Sequence, residues 1–148
     1  MYKTVYISGG ITDVPNYPTK FRKAEELIIK YGLNVVNPCR CNDILPPCAK
    51  HEDYMAISIA ALSLCDSIYM LEGWVDSKGA NIELQYALNH GYKIYFQSET
   101  DYDDFKATIE ELYEEEKDEG YKTFLHNTYN NVYLLSEDSI KDGVADEV

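Results

Sequence analysis

Two segments of the sequence carry residue types that could bind a small molecule and act on it. Residues 8–12 read Ser-Gly-Gly-Ile-Thr. They offer backbone N–H groups and two hydroxyls with little side-chain bulk, which suits a phosphate or a sugar hydroxyl. Residues 73–88 read GWVDSKGANIELQYAL, in which Gly79 and Ala80 let a ligand approach the start of a helix. A helix N-terminus favours negative charge. The signal from residues 8–12 is weak by itself, because glycine after a first strand is common.

Glu83 lies one turn inside the helix that the second segment predicts, on an otherwise apolar face with Ala80 and Ala87. A carboxylate there either faces a ligand site or is a first-turn glutamate that complements the helix dipole. Trp74 either stacks on a base or covers the hydrophobic core. Asn37, which is followed by proline, either hydrogen-bonds a ligand or forms a plain turn. The spacing leaves both alternatives open for each of these residues.

Three cysteines and a histidine could supply the four ligands of a zinc ion; they are Cys39, Cys41, Cys48 and His51. Their spacing is not a common zinc pattern, and two prolines stiffen the segment. We favour the alternative, a cysteine-containing loop without a metal. Cys65 lies in an apolar run and is expected in the core. Residues 8–12 lack the G-x-G-x-x-G pattern of nicotinamide-binding turns, so no cofactor is expected.

Strands alternate with helices along the chain, which predicts an α/β fold. Short β-branched and aromatic runs predict strands at 3–7, 33–36, 66–71, 93–96 and 132–135. Apolar periodicity predicts helices at 19–31, 52–64, 79–89 and 102–117, with loops at 37–50 and 72–78. This order favours a three-layer sandwich around a five-stranded parallel sheet of the flavodoxin or Rossmann kind. Such sheets bind ligands beyond the carboxyl ends of the strands, where the strand order reverses.

The chain has 148 residues, 45% of them hydrophobic, which suits one domain with a sizeable core. Its net charge of −13 is uneven, since residues 1–97 carry 9 basic and 10 acidic groups and residues 98–148 carry 4 and 16. We therefore expect a core over residues 1–97. An acidic helix, strand and tail over residues 98–148 either complete that domain or are appended to it. The acidic third is either a solvated surface or a surface for a basic partner.

The composition also excludes several classes of partner. So negative a chain is not expected to bind nucleic acid, because contacts with phosphates require Lys and Arg. No apolar run approaches the roughly 20 residues that span a bilayer, so no membrane partner is expected. The first residues lack the pattern of a secretory signal, which predicts a cytoplasmic protein with reduced cysteines. The expected partner is a small molecule.

The pattern W-x2-S-x-G-A-x2-E at residues 74–83 is the most specific motif in the sequence. With its other motifs, the chain resembles a small family of uncharacterised domains, carried largely by phages and bacteria, within the nucleoside 2-deoxyribosyltransferase-like superfamily. The resemblance covers about residues 2–97. The further matching residues are Val5 to Thr12, Val35 to Pro38, Tyr54, Met55, Cys65 to Leu71, Gly73 and Ala87.

The resemblance implies an enzyme that hydrolyses the N-glycosidic bond of a nucleoside or nucleotide, or transfers its deoxyribose to another base. In that superfamily the glutamate at the position of Glu83 attacks the anomeric carbon, and the tyrosine at the position of Tyr6 lies near the sugar. Sites are completed by a neighbouring subunit, so a homo-oligomer is expected. The expected substrate-binding residues are Ser8, Gly9, Gly10, Ile11, Thr12, Asn37, Ser58, Gly73, Trp74, Ser77, Gly79 and Ala80.

The chain departs from the superfamily pattern at two positions. Characterised members have an aspartate eight residues before the aspartate that opens the third strand, where this chain has Ser58. They have a second acid six residues before the nucleophile, where this chain has Ser77. A serine cannot supply a carboxylic acid. Two alternatives to catalysis therefore stand: a non-catalytic nucleotide-binding protein, such as a phage protein that sequesters a nucleotide signal, and an interaction protein that uses its acidic third.

Overall fold

Five parallel strands form one sheet in the computed structural model, which describes residues 3–138. The strands are β1 (Thr4–Ser8), β2 (Asn34–Val36), β3 (Ser67–Met70), β4 (Lys93–Phe96) and β5 (Val132–Leu134). Their order across the sheet is β2-β1-β3-β4-β5, and every pair of neighbours is parallel. This is the flavodoxin-like order. The predicted α/β fold with a five-stranded parallel sheet is confirmed.

Six helices connect the strands: α1 (Tyr17–Lys30), α2 (Pro38–Asn42), α3 (His51–Leu62), α4 (Lys78–Asn89), α5 (Glu99–Glu115) and α6 (Glu119–Tyr129). A 3₁₀ turn, Trp74–Asp76, precedes α4. The chain leaves β1 toward β2 on one side and returns past β1 to β3 on the other. The connections after β1 and β3 therefore diverge, and sheets of this order bind ligands in a crevice at the carboxyl ends of such a pair of strands.

Alternation along β1 divides the core into two clusters, because successive side chains of a strand point to opposite faces. Val5 and Ile7 pack with the buried face of α1. Tyr6 packs in the other cluster, with buried residues of α3, α4, α5 and α6. Helices therefore cover both faces of the sheet. Cys65 lies in the second cluster, in the core as predicted.

Three short elements differ from the sequence predictions. The predicted loop at 37–50 contains α2, because the Asn37 side chain accepts a hydrogen bond from the Cys39 N–H and a proline occupies the first turn. The predicted loop at 72–78 contains the 3₁₀ turn. Helix α6 occupies a stretch for which the apolar pattern predicts no element. Its N-cap is Asp118, whose carboxylate accepts a hydrogen bond from the Tyr121 N–H at 2.8 Å.

Residues beyond position 97 contribute to both the sheet and the core. β5 pairs with β4, and Ile109, Leu125, Val132 and Leu135 are buried. The Tyr69 hydroxyl in β3 donates to the Leu135 carbonyl at 2.7 Å. The acidic face of α5 is exposed. Most of the predicted acidic tail, from residue 139 onward, lies outside the described residues. No helix between residues 3 and 138 has both the length and the apolar character needed to span a bilayer.

Candidate functional site

The carboxyl ends of β1 and β3 are in close contact at the crevice. A Cβ on Gly9 would lie 2.8 Å from Cδ1 and 3.0 Å from Cβ of Leu71, the residue that follows β3. A Cβ on Gly10 would lie 3.0 Å from Val14. The two glycines of the turn after β1 are therefore needed for close packing at this edge of the sheet. Ile11 packs with the core on the α1 side, and Thr12 is exposed.

Glu83 projects from the buried face of α4 onto β1. Its side chain is 6% exposed. The Tyr6 hydroxyl donates to Oε2 at 2.6 Å, and the Ser8 hydroxyl donates to Oε1 at 2.7 Å. The carboxyl group therefore faces the end of β1, and a contact between Glu83 and a ligand remains a prediction. Tyr6 and Ser8 lie two residues apart, so the strand places both hydroxyls on one face.

Burial controls the protonation of this pair. Desolvation raises the pKa of Glu83 to about 7, against the hydrogen bonds from Tyr6 and Ser8, which lower it. Burial, and then the neighbouring Glu83, raise the pKa of Tyr6 well above its ordinary value. Tyr6 therefore remains a hydrogen-bond donor at all physiological pH values, whereas Glu83 is present in both its charged and neutral forms near neutrality.

Ser58 is the third hydroxyl of this cluster. It is 6% exposed on α3, and its hydrogen bond with Tyr6 lowers the pKa of that tyrosine. Tyr6, Ser8, Ser58 and Glu83 thus form a polar cluster inside an apolar core. Two of these residues, Ser8 and Ser58, were predicted to bind substrate, and the structure places them against Glu83 and Tyr6. The alternation of Tyr6 and Ser8 along β1 is the sequence signal for the Ser8 contact.

Ser77 begins α4. Its hydroxyl accepts a hydrogen bond from the Ala80 N–H at 3.1 Å, which is the geometry of a helix N-cap. Two residues further on, a Cβ on Gly79 would lie 3.2 Å from Sδ of Met55 and 3.9 Å from Cε1 of His51. The start of α4 is therefore packed closely against α3, and the small residue at position 79 permits that approach.

Gly73 and Trp74 form the start of the 3₁₀ turn beyond β3. Gly73 has a φ of 89°, a left-handed conformation that favours glycine. The Trp74 ring packs against Phe96, with ring centroids 6.1 Å apart and an interplanar angle of 45°. Its indole Nε1 is buried without a hydrogen-bond partner within residues 3–138. The ring covers the core here, and stacking on a base remains a prediction.

Asn37 is occupied by local contacts. Its side chain accepts from the Cys39 N–H at 3.0 Å and donates to Glu25 Oε1 at 3.0 Å. The second Glu25 oxygen pairs with Arg40 at 3.0 Å. The residue predicted to bind a ligand therefore fixes α2 against α1 in this structure.

The cysteine cluster does not assemble as a metal centre in the part of the chain that the structure describes. No group of three or more His, Cys, Asp or Glu side chains there is close enough to hold a metal ion. Burial, and then Asp43, raise the pKa of the Cys39 thiol to about 11. Two cavities, of about 250 and 170 Å³, are lined by α4 and α6 and by α5 and α6. Neither lining includes Glu83.

Comparison with known proteins places the chain in a family. The model of a family described as a domain of unknown function (DUF4406) matches residues 3–96. Among solved structures, the chain resembles a 2-deoxyribosyltransferase from the psychrotolerant bacterium Bacillus psychrosaccharolyticus, with a TM-score of 0.52 and 15% identity over 64% of this chain and 72% of that chain. At that identity the likeness establishes the fold. No curated protein sequence matches. The chain therefore belongs to the DUF4406 family and has a nucleoside 2-deoxyribosyltransferase-like fold.

Proposed function

We propose that the protein breaks the N-glycosidic bond of a nucleoside or nucleotide, with Glu83 as the nucleophile and either water or a second base as the acceptor. One observation carries the proposal: a buried carboxyl group is held by two hydroxyl donors, at 2.6 and 2.7 Å, beside the crevice of a flavodoxin-like sheet. A buried titratable group at such a position is characteristic of a functional site.

The geometry supports a two-step displacement. Each oxygen of the Glu83 carboxylate accepts one hydrogen bond from β1 and retains lone pairs for another contact. One of these attacks the anomeric carbon, the carbon–nitrogen bond breaks, and its electron pair leaves with the base. The resulting glycosyl ester is then resolved by water or a second base. Tyr6 and Ser8 orient the carboxylate, and Tyr6 lies on the face of β1 that the sugar would approach.

Electrostatics favour the transition state over the free protein. The charged form of Glu83 is destabilised by burial, which is the cause of its raised pKa. A cationic sugar centre that develops beside the carboxylate would stabilise that charge. The sugar is neutral in the bound substrate and becomes cationic in the transition state, so its attraction to the carboxylate is stronger in the transition state, as catalysis requires.

The proposed substrate-binding surface surrounds this carboxyl group. It includes the turn over residues 8–12, Gly73 and Trp74 beyond β3, and Gly79 and Ala80 at the start of α4. The superfamily resemblance implies that a neighbouring copy of the chain completes the site, so we include a homo-oligomer in the proposal. We also propose that the protein is located in the cytoplasm.

One observation favours a second candidate, a protein that binds a nucleotide without converting it. Ser58 contacts Tyr6 at the position where the superfamily resemblance implies an aspartate. Its hydroxyl supplies a hydrogen bond and no acid. A site with a nucleophile and no proton donor would hold a nucleotide and release no base.

Chromatography of free base distinguishes the two candidates. The protein is incubated with ribonucleosides, deoxyribonucleosides and their 5′-monophosphates, alongside Glu83→Gln. Catalysis predicts base release by the native protein and at least a ~10³-fold loss in the variant, because the nucleophile is removed. Glu111→Gln, which changes an exposed carboxylate on α5, is the matched control. Equal release by the native protein and Glu83→Gln contradicts the proposal. A ligand that raises the melting temperature without base release supports the binding protein.

A further inference from the structure

The face of α3 that carries Ser58 extends to the first residue of the helix, at the carboxyl edge of the sheet. His51, Met55, Ser58 and Leu62 are spaced at i, i+4, i+7 and i+11, which places them in one stripe along a helix. Ser58 and Leu62 are buried, so this stripe is the face packed on the sheet and on α4. His51, the first residue of α3, is exposed. The stripe therefore runs from the polar cluster outward to an imidazole.

The contact with α4 places that imidazole beside Gly79, one helical turn before Glu83. Helices α3 and α4 follow parallel strands, so both begin at the carboxyl edge of the sheet. A Cβ on Gly79 would lie 3.9 Å from Cε1 of His51. Gly79 precedes Glu83 by four residues, so the two lie on the same face of α4, one turn apart. His51 thus lies where the two helices begin, one turn of α4 before Glu83.

The acidic residues of α3 are not placed for this role. One Asp53 oxygen accepts the Lys50 N–H at 2.9 Å, which closes the N-terminus of the helix. Glu52 is exposed and follows His51 directly, so it points about 100° away from the Ser58 stripe.

From this arrangement we infer that His51 donates a proton to the departing base, in place of the acid that Ser58 cannot supply. The inference rests on the proposed N-glycosidic reaction. As the carbon–nitrogen bond breaks, its electron pair moves to the base and the imidazolium of His51 protonates a ring nitrogen of that base. Glu83 forms the new bond to the anomeric carbon. Water then attacks this carbon, Glu83 departs as carboxylate, and the neutral imidazole takes the proton from water.

The spacing of one helical turn between Gly79, which His51 contacts, and Glu83 suits a nucleobase as the leaving group. A retaining glycosidase protonates the oxygen next to the reacting carbon and needs its two groups about 5 Å apart. A nucleobase has its basic nitrogens on the ring, further from the bond that breaks. A proton donor that lies one helical turn from the nucleophile is therefore suitably placed to reach a ring nitrogen of the base. Histidine changes its charge between about pH 5 and 8 and is the most common general acid in enzymes.

The test compares leaving groups that do and do not need a proton. Guanosine requires protonation at N7, whereas 7-methylguanosine already carries a positive charge there. We expect His51→Gln to lower base release from guanosine, or from its deoxy or 5′-phosphate form, by about 10²–10³-fold. Release from the 7-methylated form should stay within about threefold of the native rate. If the protein releases only pyrimidines, uridine and 5-fluorouridine form the corresponding pair, because 5-fluorouracil is the better leaving group.

The controls separate this inference from the proposed function. His126→Gln changes an exposed histidine on α6 and should leave both substrates unaffected. Equal losses on both members of the pair, or no loss on either, overturn the role of His51 while the Glu83 reaction stands. If the native protein releases no base from any substrate, the proposed function fails and this inference fails with it. The melting temperature of His51→Gln should match the native value, since the residue is exposed at a helix end.

Discussion

The Glu83 carboxyl group makes the unliganded protein less stable when it is charged. It is 6% exposed, and its two hydrogen bonds only partly replace the water that it loses on folding. A structural role alone would be served equally well by a neutral side chain of the same shape. The cost is understandable if the charge is needed when a substrate is bound. This cost can be measured without knowing the substrate.

We predict that Glu83→Gln stabilises the protein relative to the native chain as pH rises. Between about pH 4.5 and about pH 7 the folded protein holds a proton on Glu83 that the unfolded chain has released, so native stability falls across this interval. A shift from 4.5 to about 7 corresponds to about 3 kcal/mol. Glutamine carries no charge at either pH. Urea unfolding at about pH 4.5 and about pH 8 should show the difference growing by this amount.

Glu111→Gln, which changes an exposed carboxylate on α5, serves as the control for this measurement. An identical stability difference between Glu83→Gln and the native chain at both pH values would mean that Glu83 titrates normally. The argument that burial destabilises the charged form of Glu83 would then be wrong.

At the scale of the elements, Ser77 has a structural task at a position where the superfamily resemblance implies an acid. Its hydroxyl accepts the Ala80 N–H and so begins the helix that carries Glu83. We predict that Ser77→Ala lowers the free energy of unfolding by about 1 kcal/mol, and that Ser77→Asp retains it, because aspartate is an equally good N-cap. Urea unfolding measures both variants.

Ser63→Ala is the comparison for the Ser77 variants. The Ser63 hydroxyl donates to the Ala60 carbonyl at the exposed end of α3, and its loss should cost less than about 0.5 kcal/mol. If Ser77→Ala is as stable as Ser63→Ala, the cap contributes little. The serine at position 77 would then need another explanation, such as a contact with substrate.

The elements that the sequence predicts are those with strong local patterns. The five strands are short β-branched or aromatic runs between breakers, and each is present within two residues of its predicted bounds. Helix α5 begins at Glu99 rather than Tyr102, because the Ser98 hydroxyl caps it ahead of the apolar pattern. Helices α2 and α6 have few buried residues, and their caps, Asn37 and Asp118, give the clearest signals. Apolar periodicity alone does not detect such helices.

The sequence predicts which residues form the candidate site but not how their side chains contact one another. The motif at residues 74–83 indicates Glu83, and strand alternation predicts that Tyr6 and Ser8 lie on one face of β1. Which face of α4 packs on β1 depends on contacts between elements distant in sequence, so the Glu83 hydrogen bonds could not be read from spacing. Asn37 and Ser77 cap helices through local hydrogen bonds, and their contact with a ligand remains a prediction.

At the scale of the whole molecule, the acidic third of the chain has two distinct surfaces. Its charges lie on exposed positions of α5, while Ile109, Leu125, Val132 and Leu135 are buried against the rest of the molecule. β5 also covers the edge of β4, which would otherwise expose unpaired backbone groups. We infer that the boundary near residue 97 is a change in charge and not a boundary in the fold.

This inference predicts that a chain cut after Gln97 does not fold. The cut removes four buried apolar side chains, each worth about 1.5–3 kcal/mol, from a protein whose total stability is expected to be about 5–15 kcal/mol. Far-UV circular dichroism and urea unfolding should show no cooperative transition. Val132→Asp in the full chain disrupts β5 alone and should be strongly destabilising, while Glu111→Gln should have no effect. A cooperative transition in the shortened chain would show that the acidic third is an appendage. Base release by that shortened chain would assign the whole reaction to residues 1–97.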